Sequence, residues 1–235
     1  MTHTVHPYAH RLGIIRDWKS RWFATNKPAF RDNILVDETI RRFLTKRLRA
    51  MHLAEIEIER GATEVRVVIH TARPGLVIGR SGEHAAKLRK DLTAAVAAVS
   101  PRHGKALKLD IVEVRQPETS AAIVGMMVAE GLERRLPFRR VLKSTVEKVM
   151  AVREVVGVRI IVSGRLGGAD MARKEEIKRG RIPLQTFRAN IDYAHIEAHL
   201  PYGQIGIRVW IYLGDTHVDR RAGEAGAVVK TTTVA

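Results

Sequence analysis

The apolar positions of the chain fall into stretches of two different periods. From Asp37, a fitting N-cap, Ile40, Phe43, Leu44 and Leu48 recur at helical spacing with cations around them. Residues 54–60 then alternate Ile56 and Ile58 with Glu55, Glu57 and Glu59, and residues 64–70 carry Val65, Val67, Val68 and Ile69. Gly61 in the short connection predicts a hairpin. A short helix after Pro74, a glycine-containing loop, a long helical stretch over 83–99 and a strand over 107–114 complete a first unit. The second unit opens with a helix over 119–136, where Val124, Val128, Leu132 and Leu136 recur every fourth residue. Pro137 breaks that helix and starts the next, whose apolar face is Phe138, Val141, Leu142, Val146 and Val149. Strands are predicted over 158–163, around 183–188, over 192–200 and over 205–213. In the last, Ile205, Ile207, Val209, Ile211 and Leu213 oppose Arg208, Trp210 and Tyr212.

This order predicts an α+β protein of four parts: a basic arm over 1–36, a unit over 37–116, an α/β unit over 117–213 and a flexible tail over 214–235. Apolar residues make up 45% of the 235, enough for real cores. The stronger signal is charge, with 41 Lys and Arg against 25 Asp and Glu for a net +16. A field of that sign points to nucleic acid ahead of anionic membrane or acidic protein, because each neutralised phosphate releases condensed counterions. There is no cysteine, which excludes disulfides, thiolate metal sites and cysteine nucleophiles and fits a reducing, cytoplasmic compartment. No stretch approaches the roughly 20 apolar residues of a membrane span.

The sharpest local motif is Gly79-Arg80-Ser81-Gly82, set between a short helix and a long one. Two glycines let backbone approach backbone, the following helix start supplies free N–H groups, and Arg80 adds charge. This is the G-x-x-G loop of a KH domain, and its place in a helix–strand–strand–helix–helix–strand order fits the second KH topology, on a three-stranded sheet. A P-loop is excluded, since no Gly-Lys-Ser/Thr follows at the required distance. A second feature is the cationic stripe of Arg139, Arg140 and Lys143, which share an arc of about 100° on their helix, with Arg134 and Arg135 just before it. An ordinary solvated face is the plain alternative. A third is the glycine-rich run from Ser163 to Asp170, containing Arg165 and leading into Arg173, Lys174, Lys178, Arg179, Arg181 and Arg188. A hairpin exit explains those glycines equally well, but not the cations. The stretch 8–31 mixes Arg11 and other cations with Tyr8, Trp18, Trp22, Phe23 and Phe30, suited to stacking on unpaired bases or to tucking against its own domain. Enzyme constellations are missing: the histidines are dispersed, and Asp110, Asp192 and Asp215 do not suggest a two-metal nuclease. No catalytic residue, metal or cofactor is expected. A nuclease or lyase, which would need a compact carboxylate or lysine centre, and a free-standing KH regulator, which gives no reason for the residues over 163–194, are the competing readings.

Residues 65–82 (VRVVIHTARPGLVIGRSG), 132–140 (LERRLPFRR) and 163–194 (SGRLGGADMARKEEIKRGRIPLQTFRANIDYA), with the opening VHPYAHRLGIIRDWKSRWFA over 5–24, closely resemble the bacterial small-subunit ribosomal protein three family. The resemblance covers about residues 5–213. It implies a type II KH domain followed by an α/β domain with two helices on a four-stranded sheet, packed against ribosomal RNA in the lower part of the small-subunit head. It further implies small-subunit proteins ten and fourteen as neighbours, and messenger RNA at the entry channel gripped by the positions matching Arg139, Arg140 and Lys143. RNA contacts, ribosomal or messenger, are expected from Gly79, Arg80, Ser81 and Gly82 of the KH loop, and further RNA contacts from Arg11, Arg165, Arg173, Lys174, Arg179, Arg181 and Arg188. Two departures stand out. Arg80-Ser81 replaces the two basic residues many relatives have in the KH loop, and residues 100–105 (SPRHGK) read as a slightly extended basic turn before the third strand; the end after Gly214 is also unlike the lysine-rich tails of some members.

Overall fold

The computed structural model describes residues 5–61, 63–99 and 106–216. The chain forms two compact units, one spanning Trp18–Arg115 and the other combining the chain up to Asp17 with the chain from Gln116 onward. The separate basic arm expected over 1–36 is therefore divided between the two. Of the tail expected over 214–235, residues 214 and 215 close the last strand and the part beyond residue 216 lies outside the described residues, as does the basic turn expected at 100–105.

In the first unit, β1 (Ser20–Arg21), β2 (Leu53–Arg60), β3 (Glu64–Thr71) and β4 (Ala106–Glu113) form a sheet in that order. The β2–β3 pair is antiparallel and β3–β4 is parallel, so two helices must cross between β3 and β4. The two-residue β1 adds a row beyond the three strands expected, running parallel to β2 with Ser20 opposite Ile58. Ile56 and Ile58 lie opposite Ile69 and Val67, giving one apolar face. The other carries Glu55, Glu57, Glu59 and Arg66, where every second side chain is polar. Helix α2 (Lys27–Arg47) buries Val36, Ile40 and Leu44, and α4 (Glu83–Val99) buries Leu88, Leu92 and Val96, both at i, i+4 spacing. Helix α2 starts ten residues before the expected Asp37. Asn26 is its N-cap and Pro28 sits in its first turn, a start signal hidden among the cations and aromatics around it. Asp37 is instead a buried mid-helix residue, ion-paired with the buried Arg60 and accepting a 2.8 Å hydrogen bond from the Trp22 indole N–H. This need for partners, not a free helix end, explains its presence.

In the second unit the sheet order is β6 (Arg173–Gly180), β5 (Gly157–Gly164), β8 (Gly203–Asp215), β7 (Ala189–Leu200), all antiparallel. Helices α5 (Ala121–Glu133) and α6 (Phe138–Met150) cover one face, burying Val124, Val128, Leu132, Leu142, Val146 and Val149 against Val158, Ile160, Val162, Ile205 and Val209. The strand expected around 183–188 is irregular backbone, and β6 lies a turn earlier over a run of charges with Ile177 alone packed on the core. As an edge strand it pairs on one side only, where charges are tolerated. On the sheet's opposite face, Ile161, Ile191, Trp210 and Tyr212 pack with Ile182, Leu184 and Tyr193. The N-terminal segment, with the short α1 (Pro7–His10), joins this unit: His6 meets Tyr193 edge-on at 4.7 Å and His10 stacks on Phe187 at 4.1 Å. Asp192 of β7 takes a 2.7 Å hydrogen bond from the Ala121 N–H, capping α5 from outside that helix, and lies 3.7 Å from Arg16.

Candidate nucleic-acid interface

The KH loop follows α3 (Pro74–Ile78), which Pro74 opens and Gly79 closes. Gly79 has φ +74°, and a Cβ there would stand 2.7 Å from the His84 ring, so both backbone and space demand glycine. Gly82 has φ +80°, and Ser81 between them is left-handed at φ 53°. The loop passes directly into α4, whose first N–H groups carry the positive end of the helix dipole. Arg80 and Ser81 are exposed, as are Lys87, Arg89 and Lys90 further along α4. Those three extend the basic surface beyond the loop, and nothing in their local sequence, an ordinary solvated helix face, distinguishes them in advance.

The second basic surface is built on α6. Val141, Leu142, Val146 and Val149 turn inward, which forces Arg139, Arg140 and Lys143 outward, and all three are exposed. Arg139 donates a 3.1 Å hydrogen bond to Glu175 of β6, placing that strand beside the first turn of α6. Phe138 is flanked by two guanidinium groups, Arg139 at 5.6 Å and Arg173 at 5.2 Å. Arg139, Arg140, Lys143 and Arg173 thus form one patch. Lys174 alternates to the sheet's other face, and Arg179 and Arg181 are exposed at the far end of β6. Arg188 is exposed but lies 3.4 Å from Asp215.

Two expected RNA contacts are placed otherwise. Arg11 is fully buried: its guanidinium donates to the carbonyls of Ala189 (2.6 Å), Pro7 (3.0 Å), Leu184 (2.9 Å) and Thr186 (2.8 Å). Burial first, and the neighbouring Arg16 second, lowers its pKa. The expectation that it touches RNA is corrected: it is a staple for the 183–189 segment, with no face left for a ligand. Arg165 is half-buried and folds back on its own loop, donating to the carbonyls of Ala169 and Tyr202 and to the Asp170 carboxylate. Its guanidinium lies 5.9 Å from the Tyr202 ring. Trp22 likewise is tucked in, 5.3 Å from Phe30 and bonded to Asp37, whereas Phe23 is 90% exposed.

Among the described residues, Glu55, Glu57 and His70 on the polar face of the first sheet come close enough together to suggest a metal site. Lys19 lies 3.6 Å from Glu55, and Arg21 lies 3.9 Å from Glu57. With both carboxylates neutralised in this way, the group is an ion-pair network with little attraction left for a cation.

A KH unit with an exposed G-x-x-G loop, joined in one chain to a second unit carrying a cationic helix, defines a two-unit RNA-binding protein. The KH domain family matches residues 39–119, and the family described as ribosomal protein S3, C-terminal domain, matches residues 128–211. Proteins named small ribosomal subunit protein uS3 are similar over nearly the whole chain. That of Caldicellulosiruptor bescii is 48% identical, covering 92% of this chain and 93% of its own length. Those of Caldicellulosiruptor saccharolyticus and Pseudoalteromonas atlantica are 47% and 46% identical, each over 92% of this chain and over 93% and 89% of their own. The chain belongs to the uS3 family of small ribosomal subunit proteins. Such proteins are structural, not enzymes. No helix among the described residues is long and apolar enough to cross a membrane.

Proposed function

We propose that the chain is a structural component of the small ribosomal subunit in the cytoplasm, and that its two basic surfaces have different duties. The loop of Gly79, Arg80, Ser81 and Gly82 grips RNA backbone in the lower part of the subunit head. The α6 patch borders the path of incoming messenger RNA, with Arg139, Arg140 and Lys143 as its phosphate contacts and Arg173 beside them. Exposed Lys174, Arg179 and Arg181 add ribosomal RNA contacts. Small-subunit proteins ten and fourteen are the neighbours this reading assigns. The observation that carries it is the α6 stripe: three adjacent cations, all exposed, on a helix whose other face is wholly committed to the core.

Sedimentation of a lysate in a magnesium-containing gradient tests the assembly, the chain being expected to travel with small subunits and to remain after a moderate salt wash. Free protein at the top of the gradient would favour an independent KH regulator. Cross-linking from a photoreactive base placed in the messenger downstream of the decoding site tests the second duty. Cross-links to α6 are expected, and cross-links that bypass this chain altogether would refute it.

A further inference from the structure

Where α5 meets α6, the chain makes a sharp elbow. Helix α5 ends at Glu133 with Arg134 as its C-cap, Arg135 takes a left-handed conformation at φ 60°, and Leu136 and Pro137 lead into Phe138. Facing the elbow are the two-residue turn Pro201-Tyr202 between β7 and β8 and the glycine turn Gly167-Gly168. Between them lies a cleft of about 260 Å³ whose walls include Leu132, Leu136, Phe138, Tyr202 and Ile205. Leu132 and Ile205 form a buried floor, while Leu136 and Tyr202 stand 51% and 61% exposed at the mouth. Gly168, at φ +81°, brings its backbone against the edge of the Tyr202 ring, which lies 3.6 Å from where a Cβ would be.

We infer that this cleft receives a single unpaired nucleobase, its sugar–phosphate continuing onto the α6 stripe; the inference rests on the reading of that stripe as an RNA contact. Charge complementarity selects the occupant. The Phe138 wall carries two guanidinium groups, Arg139 at 5.6 Å and Arg173 at 5.2 Å, and Arg135 joins the lining. An apolar slot with aromatic walls and a cationic rim matches a flat neutral ring attached to a polyanion, the combination by which unpaired RNA is recognised. The volume is below the roughly 300–1,000 Å³ of drug-sized pockets, so it suits one ring system and not a helix or a folded hairpin. The cleft also adjoins Arg139, the first cation of the stripe, so a strand leaving it meets Arg140 and Lys143 next. A base held in a duplex cannot enter. The site therefore discriminates single strand from double strand beside a surface that attracts both.

The test is fluorescence anisotropy of the purified full-length chain with a short unpaired RNA and with a blunt duplex of the same sequence. Tyr202→Ala is expected to weaken binding of the unpaired RNA by about five- to tenfold, the loss of one stacked base, while leaving the duplex unchanged. Tyr202→Phe, which keeps the ring, should bind as the parent does. Leu136→Ser on the opposite wall should reproduce the selective loss, and it decides the matter if Tyr202→Ala fails to fold. Equal weakening of both RNAs, or weakening of neither, overturns the base site; the latter leaves the cleft to an apolar side chain of a neighbouring protein. The combined Arg139→Ala, Arg140→Ala, Lys143→Ala chain is read separately. It should weaken both RNAs, and if it weakens neither, the stripe reading fails while the Tyr202 comparison still decides whether a base enters the cleft.

Discussion

Two loops of this chain have nearly the same composition and opposite uses for it. Gly79-Arg80-Ser81-Gly82 and the run from Gly164 to Gly168 both set an arginine among glycines with positive φ. In the first, Arg80 is exposed at the mouth of a helix. In the second, Arg165 donates three hydrogen bonds to its own loop and to the neighbouring Tyr202 carbonyl, so it fixes a shape and offers little to a partner. The difference lies in the carbonyls: glycine turns leave backbone oxygens unpaired, and an arginine within reach of several is drawn inward to satisfy them. Arg11 is the extreme case, with its whole guanidinium inside.

That contrast can be broken at several points. The largest effect belongs to Arg11→Met, which keeps apolar bulk but removes the guanidinium donations to the carbonyls of Ala189 and Leu184 and leaves that of Thr186 with only the Ala189 N–H at 3.3 Å. We expect a loss of about 3–5 kcal/mol in urea unfolding, and a loss below about 1 kcal/mol would show that the staple is dispensable. Next, replacing Arg139, Arg140 and Lys143 together by Ala should reduce RNA affinity on the order of ten- to a hundredfold and lower the slope of log affinity against log salt by about two to three. A normal slope would mean that these cations face only solvent. The comparison is sharpest with single changes in the two loops. Arg80→Ala should lower the salt slope by about one, whereas Arg165→Ala should leave it unchanged while reducing the protection of the 164–170 amides from hydrogen exchange. Equal slope changes would mean that the two arginines meet RNA alike.

The smallest effect appears at high pH. Burial, reinforced by the 2.7 Å hydrogen bond to Asp215, pushes the Tyr212 hydroxyl up to about 12. A folded-state pKa above the unfolded value of about 10 gives stability that is fully present below pH ~10 and is lost as pH rises through the folded value. Spectrophotometric titration should show a late-ionising tyrosine component, and Tyr212→Phe should remove it. Asp215 also lies 3.4 Å from Arg188, so its carboxylate serves both side chains.

Much of this was legible in the sequence, for identifiable reasons. The KH loop could be placed because glycine spacing, a hairpin before it and a helix after it are all local signals. The α6 stripe followed from period alone, since the apolar residues fix which side faces water. Strand β6 was missed because an edge strand of Arg, Lys and Glu shows no hydrophobic alternation, and its pairing with β5 is what makes it a strand. The start of α2 was signalled by Asn26 and Pro28, but its first turns are poorly buried, so apolar periodicity began only near Val36. The cleft at Tyr202 could not be read, since its walls come from residues 132–138, 167–168 and 200–205 and meet only in the fold. Nor could the inward turn of Arg11 and Arg165. The sign of a charge is written in the chain, but the direction in which it points depends on distant backbone.

The Arg11 staple also bears on the order in which the molecule can be made. The Trp18–Arg115 unit is a contiguous stretch, complete as soon as its own residues have emerged from synthesis. The other unit is closed by residues that emerge early and by partners that emerge far later, Arg11 and Ala189 being 178 positions apart. Joining so distant a pair carries a loop-closure cost before any contact offsets it, and such units fold slowly. The opening segment must therefore wait, its arginine in solvent, while the inserted unit folds. A chain halted before residue 189 would have one finished half and one half still lacking its last carbonyl for Arg11.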